Sequence, residues 1–349
     1  VTQESDKYQE SGDNSVNIQA GNLNISGLGY QEAREIALDV FKSNFIKLSR
    51  EAAQIAEDRI TYLVDEYLNK LVNEHEKLIY TAKDPDMQYD LFQAQSQYAR
   101  SGKIYVVDLL TDILVEKAKA KHEESLLKIV LSEAIITIGK LTETQLNVLS
   151  SIFLLRYLIH DKPSSLNSLL QLIKKYLVPL FESFPVKHTS ALHLQYTGCV
   201  HHDMGDDTIE NILRSKYEGF FRGNLSSSEY AEVLEKIPKS AAVFHKTSED
   251  PDQYELKMAD QHDFFELCKK EGISAEQSKE LYEITPLAKL DEIKNYLINH
   301  SPEFVELLEK WDQSYVGSLK LTSTGIAIAQ SNLKRQFDLS YDFREWLTN

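Results

Sequence analysis

The densest grouping of side chains able to do chemistry is Cys199-Val200-His201-His202-Asp203, with Asp206 and Asp207 close behind. Thiolate, imidazole and carboxylate are the groups zinc takes, and a catalytic zinc keeps three protein ligands and one open position. Cys199, His201, His202 and Asp203 therefore form a candidate metal site, and a metal-dependent hydrolase is one reading of the chain. The spacing argues against it. Neighbouring residues of an extended chain point to opposite sides, and neither Cys-x-x-Cys nor His-Glu-x-x-His occurs. An ordinary polar loop explains the same residues. Cys199 as a nucleophile needs a base that nothing in the sequence identifies. Walker, Gly-x-Gly-x-x-Gly and Gly-x-Ser-x-Gly patterns are absent. Gly27-Leu28-Gly29 is a lone pair before a helix and reads as a hinge. No cofactor is expected.

Composition narrows the function classes. The 349 residues carry 38 basic against 54 acidic side chains, a net charge of −16. Nucleic-acid affinity rests on Lys and Arg releasing counterions from phosphates, so a nucleic-acid partner is disfavoured, and an anionic membrane with it. Two cysteines make no disulfide framework, which fits a reducing cytoplasm. The polar opening residues lack the apolar core of a signal peptide. Lys128, Glu133 and Arg156 interrupt the most apolar stretches, short of the roughly 20 apolar residues a membrane helix needs. Only 13 glycines suit a helical scaffold better than a loop-built enzyme.

The elements that must position these residues are mainly α-helical. The expected fold is a multi-helix bundle with a very long N-terminal helix, a short β-prone leader and a small β element in the C-terminal half. In the leader, Val16 and Ile18 alternate with polar residues, Gly21-Asn22 interrupts, and Leu23 and Ile25 alternate again. That reads either as a floppy polar leader or as a hairpin, which is marginal alone and must pair with the body or with a second copy. From Tyr30 to Ile79 one helix is expected. Leu38, Phe41, Phe45, Leu48, Ala52 and Ile55 step by three and four, with a phase slip near Ala56 to Ile60. At 1.5 Å per residue such a helix is about 75 Å long, so it serves either as a coiled-coil seam between subunits or as a bent spine within one. Val16, Ile18, Leu23, Ile25, Leu38, Phe41, Phe45 and Leu48 are the candidate oligomerisation residues, for a homo-oligomer with a further protein partner.

Further helices are predicted at about 87–100, 103–120, 123–139 and 142–159, the last opened by a capping box from Thr142 to Gln145. Others follow over 166–181, 208–222, 227–236, 259–271, 274–283, 287–299 and 302–313. Leu192, Leu194 and Tyr196 read as a strand, 198–207 as a loop, and Gly317 to Thr322 as a second strand before a helix over Thr324 to Gln336. Tyr341, Phe343 and Trp346 are expected to dock. Leu319 to Ala329 resembles the closing strand and helix of a winged-helix domain, with Lys334 and Arg335 nearby, so a winged-helix regulator is a third reading. The expected units are a leader over 1–29, a bundle over 30–160 and a helical unit over 161–349.

Gly12-Asp13-Asn14-Ser15-Val16-Asn17-Ile18-Gln19-Ala20-Gly21, followed by Gly27-Leu28-Gly29-Tyr30-Gln31-Glu32-Ala33-Arg34-Glu35-Ile36-Ala37-Leu38-Asp39-Val40-Phe41, resembles the opening of an uncharacterised bacterial protein family. Similar Asn-rich leaders precede proteins resembling bacterial conflict and phage-defence components. Tyr196-Thr197-Gly198-Cys199 and Leu321-Thr322-Ser323-Thr324-Gly325 resemble further landmarks of that family. The resemblance implies a bacterial cytoplasmic origin and an antiviral defence role, and it carries over no catalytic residues. Together these features favour a non-enzymatic, self-associating helical scaffold or sensor.

Overall fold

The stripe that runs on from Tyr30 is divided between two helices. The structure, a computed structural model, describes residues 29–44, 49–120, 126–157, 163, 165–184, 187–247 and 250–347. Helix α1 (Tyr30–Asn44) buries Ala33, Ala37 and Phe41, about one residue per turn. Helix α2 (Arg50–His75) starts afresh at Ser49, whose hydroxyl accepts from the amide of Ala52. A serine there satisfies an amide that a new helix leaves orphaned, and so stabilises a start. Arg34 clasps Asp65 through two hydrogen bonds, 2.6 and 3.2 Å long, so α1 lies against α2. The single helix from Tyr30 to Ile79 is thus corrected to two helices and a 3-10 turn over Glu76–Lys83. Cover within the same chain outweighs helix continuity, which tertiary context commonly overrides. Phe41 is buried and Leu38 half-buried in the chain's own core. Val16, Ile18, Leu23, Ile25, Phe45 and Leu48 lie outside the described residues.

Asp84 then caps α3 (Pro85–Ser101), with Pro85 at the first helical position, where its missing amide costs nothing. Helices α4 (Ile104–Lys119) and α5 (Leu126–Ile138) follow. The predicted capping box opens α6 (Glu143–Ile152), which widens into a π turn over Phe153–Tyr157. Helix α7 (Leu166–Leu172) passes through a second π turn, Ile173–Leu177, into α8 (Val178–Phe181). The segment read as a strand is instead α9 (His188–Tyr196). Its buried pair Ala191 and Leu194 has helical spacing, while Leu192 and Tyr196 face solvent. Strand β1 (Val200–His202) falls in the stretch read as a loop.

After α10 (Ile209–Lys216) come β2 (Leu225–Ser226), α11 (Ser227–Lys236), β3 (Phe244–Lys246), β4 (Gln253–Leu256), α12 (Gln261–Lys270) and α13 (Ala275–Glu283). Helices α14 (Leu290–His300) and α15 (Glu303–Gln313), strand β5 (Leu319–Leu321), α16 (Ser323–Phe337) and α17 (Arg344–Leu347) complete the order. Strand β5 pairs antiparallel with β1, and β2, β4 and β3 form a separate antiparallel sheet with β4 in the centre.

Two cores organise these elements. The larger runs from Ala33 to Phe343 and centres on α16, which is buried from Gly325 to Leu333 among α4, α5 and α6. Polar groups on α16 are matched across the bundle. Ser331 donates to Asp112 at 3.0 Å, Asn332 to Ser150 at 2.8 Å and Gln336 to Asn147 at 2.8 Å. The C-terminal aromatics dock as expected, with Tyr341 and Trp346 packed on Phe153 at ring-centroid distances of 5.8 and 5.5 Å. The second core lies between Leu225 and Tyr282 and belongs to a small α/β module. A division at 160/161 therefore does not describe the cores. The chain leaves the bundle only for the module and then returns, because α16 supplies the helix the first half lacks. No helix among the described residues is long and apolar enough to cross a membrane.

Candidate functional site

The Cys199 motif meets Leu321-Thr322-Ser323-Thr324-Gly325 in space. Thr322 donates from its amide to the Cys199 carbonyl at 3.0 Å and from its hydroxyl to the Gly198 carbonyl at 2.6 Å. Gly198 has φ +76°, a left-handed conformation that glycine adopts without strain. A β-carbon on Gly325 would stand 2.0 Å from the Cys199 oxygen, so α16 begins as close to this turn as glycine allows. The register Val200↔Leu321, His201↔Lys320 and His202↔Leu319 extends the junction. The two sequence landmarks are one structural seam.

That seam separates the proposed metal ligands. Cys199 is fully buried beside the Thr197 hydroxyl, at 3.5 Å. His201 and His202 are successive strand residues, both exposed, so their side chains take opposite faces. His202 Nδ1 lies 3.1 Å from the Ser318 hydroxyl, and Asp203 lies 3.6 Å from the Lys320 ammonium. Among the described residues no three His, Cys, Asp or Glu side chains converge as a metal site. The reading of Cys199, His201, His202 and Asp203 as one ligand set is corrected accordingly. Asp207 serves elsewhere. Its site is desolvated, but Arg156, at 2.8 Å, and Asn211, at 3.0 Å, hold its carboxyl below the ordinary range.

Burial pushes the Cys199 thiol up to about 11, chiefly by penalising the thiolate. A thiol reagent at about pH 8 is expected to modify neither Cys199 nor Cys268, also buried, until the chain unfolds. Stoichiometric labelling of Cys199 within seconds under native conditions would contradict this burial. The helix after β5 is equally committed. Lys334 is ion-paired with Asp112 and Arg335 with Glu143, and α16 is enclosed, so it offers no free face to a DNA groove.

The features best placed for function lie where the module leaves the bundle. Residues 221–223 and 286–288 run antiparallel, with Gly223 donating to Pro286 and Ala288 to Phe221, both at 2.8 Å. Between them Arg222 pairs with Leu287 as an isolated β-bridge. The Arg222 guanidinium donates to the Tyr282 and Thr285 carbonyls at 2.8 and 2.6 Å and pairs with Glu218. It also stands 3.7 Å over the Tyr282 ring. Desolvation pushes the Tyr282 phenol up to about 12, so it stays neutral under the cation. A cleft of about 460 Å3 opens at this root, walled by Leu166, Phe220, Ile293 and Tyr296 and edged by Pro286 and Leu287. Such concave, mainly apolar spaces beside a domain junction are where ligands bind.

A second, smaller cavity of about 50 Å3 is walled by Leu155, Leu169, Ile173, Leu213 and Tyr217. Leu166 and Leu169 of α7 line one cavity each, and so do the stacked rings Phe220 and Tyr217. An isolated charged residue such as Arg222 carries no motif, so sequence reasoning missed it. The turn signal Arg222-Gly223-Asn224, matched by Thr285-Pro286, was the available hint of two connectors.

Neither curated proteins nor solved structures give a match. A family model does match, over residues 27–347, from just before α1 to the end of α17. The bundle, the module and both connectors fall inside that match, and the chain belongs to this uncharacterised family.

Proposed function

We propose that the chain is a non-enzymatic helical scaffold acting as a sensor, in which the module over 225–285 responds to occupancy of the cleft at its root. The supporting observation is the paired connector. A separately cored module joins the bundle through two short connectors that pair antiparallel at one β-bridge, with a cleft of about 460 Å3 lined by residues of the connectors and of the bundle. A rigid body on two such connectors is the arrangement that hinge motions use. Homo-oligomerisation and a place in bacterial antiviral defence, in the cytoplasm, belong to the same proposal. They draw on the strand-prone pattern of residues 16–25 and on the resemblance of the opening segment.

Arg222 is the fastening of this hinge. Arg222→Ala removes two carbonyl hydrogen bonds and an ion pair, each charge-assisted bond being worth about 1.5–3 kcal/mol. The expected outcome is faster amide exchange and proteolysis confined to 221–223, 286–288 and the module, with bundle amides unchanged. Uniform loss of protection across α4, α6 and α16 would show that module and bundle do not move separately, and would end the hinge reading. Light scattering tests assembly. The full chain should be larger than a monomer and a chain starting at Tyr30 smaller than the full assembly; two monomeric results would remove self-association.

A further inference from the structure

Helices α11 and α13 leave an apolar slot between them. Its floor is Leu225, Val233, Ile237 and Leu281, all buried in the module's own core. Val233 and Ile237 stand one turn apart at the end of α11, and so present one face. The slot is open to solvent and measures about 130 Å3. An apolar cavity of about 150 Å3 takes a benzene molecule, so this one has room for a single aliphatic side chain. Ile284, 43% exposed, carries the apolar surface out over the lip.

The rim is acidic. Glu229 and Glu232 of α11 and Glu280 of α13 line it, with Lys236 as their basic neighbour. Glu229 is committed to the start of α11, where it accepts from the Ser226 amide and hydroxyl. Glu232 and Glu280 are exposed, and among the described residues their carboxylates have no ion-pair or hydrogen-bond partner. The whole module has the same sign. Residues 225–285 carry 14 acidic against seven basic side chains, nearly half of the chain's net charge of −16. A surface of that sign draws in cationic partners and repels a second copy of this chain. An apolar socket with one unpaired acid on each flanking helix is complementary to an apolar side chain set between lysines or arginines.

We propose that the slot docks a basic amphipathic helix of a partner protein. One aliphatic side chain sits on Leu225, Val233, Ile237 and Leu281, and flanking cations pair with Glu232 and Glu280. Helix-in-groove recognition uses this combination of apolar anchor and polar flank. The docking stands apart from the sensor reading and meets it at one place. Ile284, at the lip, runs through Thr285 into Pro286 and Leu287, which edge the cleft at the root. A partner seated here bears on the connector that the cleft also touches.

Fluorescence anisotropy of a labelled peptide against the full chain supplies the test. The probe is an alanine–lysine helix of about 15 residues, with one central leucine and a lysine one turn to either side of it. Saturable binding is expected below about 1 mM peptide. Replacing that leucine by alanine should weaken binding about tenfold or more, the loss expected when one leucine is no longer buried. On the protein, Glu232→Gln combined with Glu280→Gln should weaken it about threefold or more, since exposed ion pairs are individually modest. Glu57→Gln combined with Glu309→Gln makes the same charge change on the bundle and should leave binding within about twofold. All four glutamates are exposed, so folding should survive in both variants. No saturable binding up to about 1 mM, equal binding of the alanine peptide, or equal losses in the two glutamine variants overturns the proposal. The slot lies wholly within the module, so its failure leaves the hinge reading to the Arg222 experiment.

Discussion

Asp90→Ala is expected to remove about 3–5 kcal/mol of stability, the cost of breaking a buried ion pair from one side. Lys117 and Asp90 are both about 1% exposed at the side chain and in direct contact. Lys117 also meets Asp86 and the Ser132 hydroxyl, each at 2.8 Å, and Ser132 donates to Asp90 at 2.9 Å. Without Asp90 the ammonium keeps only Asp86, whose side chain is 56% exposed and well hydrated, so the loss should fall toward the lower end of that range. The decisive comparison is with Asp90→Ala combined with Lys117→Met. An apolar replacement of both partners commonly costs little, so the double variant should recover most of the loss in urea unfolding. A double variant as unstable as the single one would mean that the network, and not the orphaned charge, sets the cost.

Phe153→Ala should lose a similar amount, about 3–5 kcal/mol, from the cavity left by a buried aromatic ring. Phe153 is fully buried and lies 6.1 Å from the Tyr157 ring as well as against Tyr341 and Trp346. Its effect should extend past the core, because Trp346 also packs edge-on to Tyr157 at 6.2 Å. In a Trp311→Phe background the emission of Trp346 should shift to the red on Phe153→Ala, as the tail exchanges ring contacts for water. Unchanged emission would show that the tail is held by something other than these rings.

The helices were largely legible because periodicity and capping are local. Thr142 and Gln145 announced α6, and Ser274 with Gln277 and Ser226 with Glu229 open α13 and α11 by the same device. The interruption at Ser49 was not, since the segment from Tyr30 holds no Pro or Gly before Pro85. The cover that α1 finds is α2 and α3, a long-range effect. The alternation at Leu192, Leu194 and Tyr196 misled because three residues satisfy both periods, and only the burial of Ala191 with Leu194 decides for a helix. At the Cys199 motif the residue types suggested a ligand set that strand geometry then spread over two faces and the interior. Arg222 was invisible for the converse reason. It takes its meaning from a partner 60 residues away, the Tyr282 carbonyl.

The enclosure of α16 has a consequence for how the chain is made. Its contact with α6 joins Asn332 to Ser150 across 182 residues, and its contact with α4 joins Ser331 to Asp112 across 219. During synthesis α4, α5 and α6 emerge with an unfilled apolar slot and wait for the helix that closes it. Such distant closure carries the entropy of a long loop and slows folding. The module between β2 and α13 has its partners near at hand and can settle first, so the newborn chain passes through a state with a finished module and an open bundle. That open slot is the surface on which a chaperone would act and on which aggregation would begin.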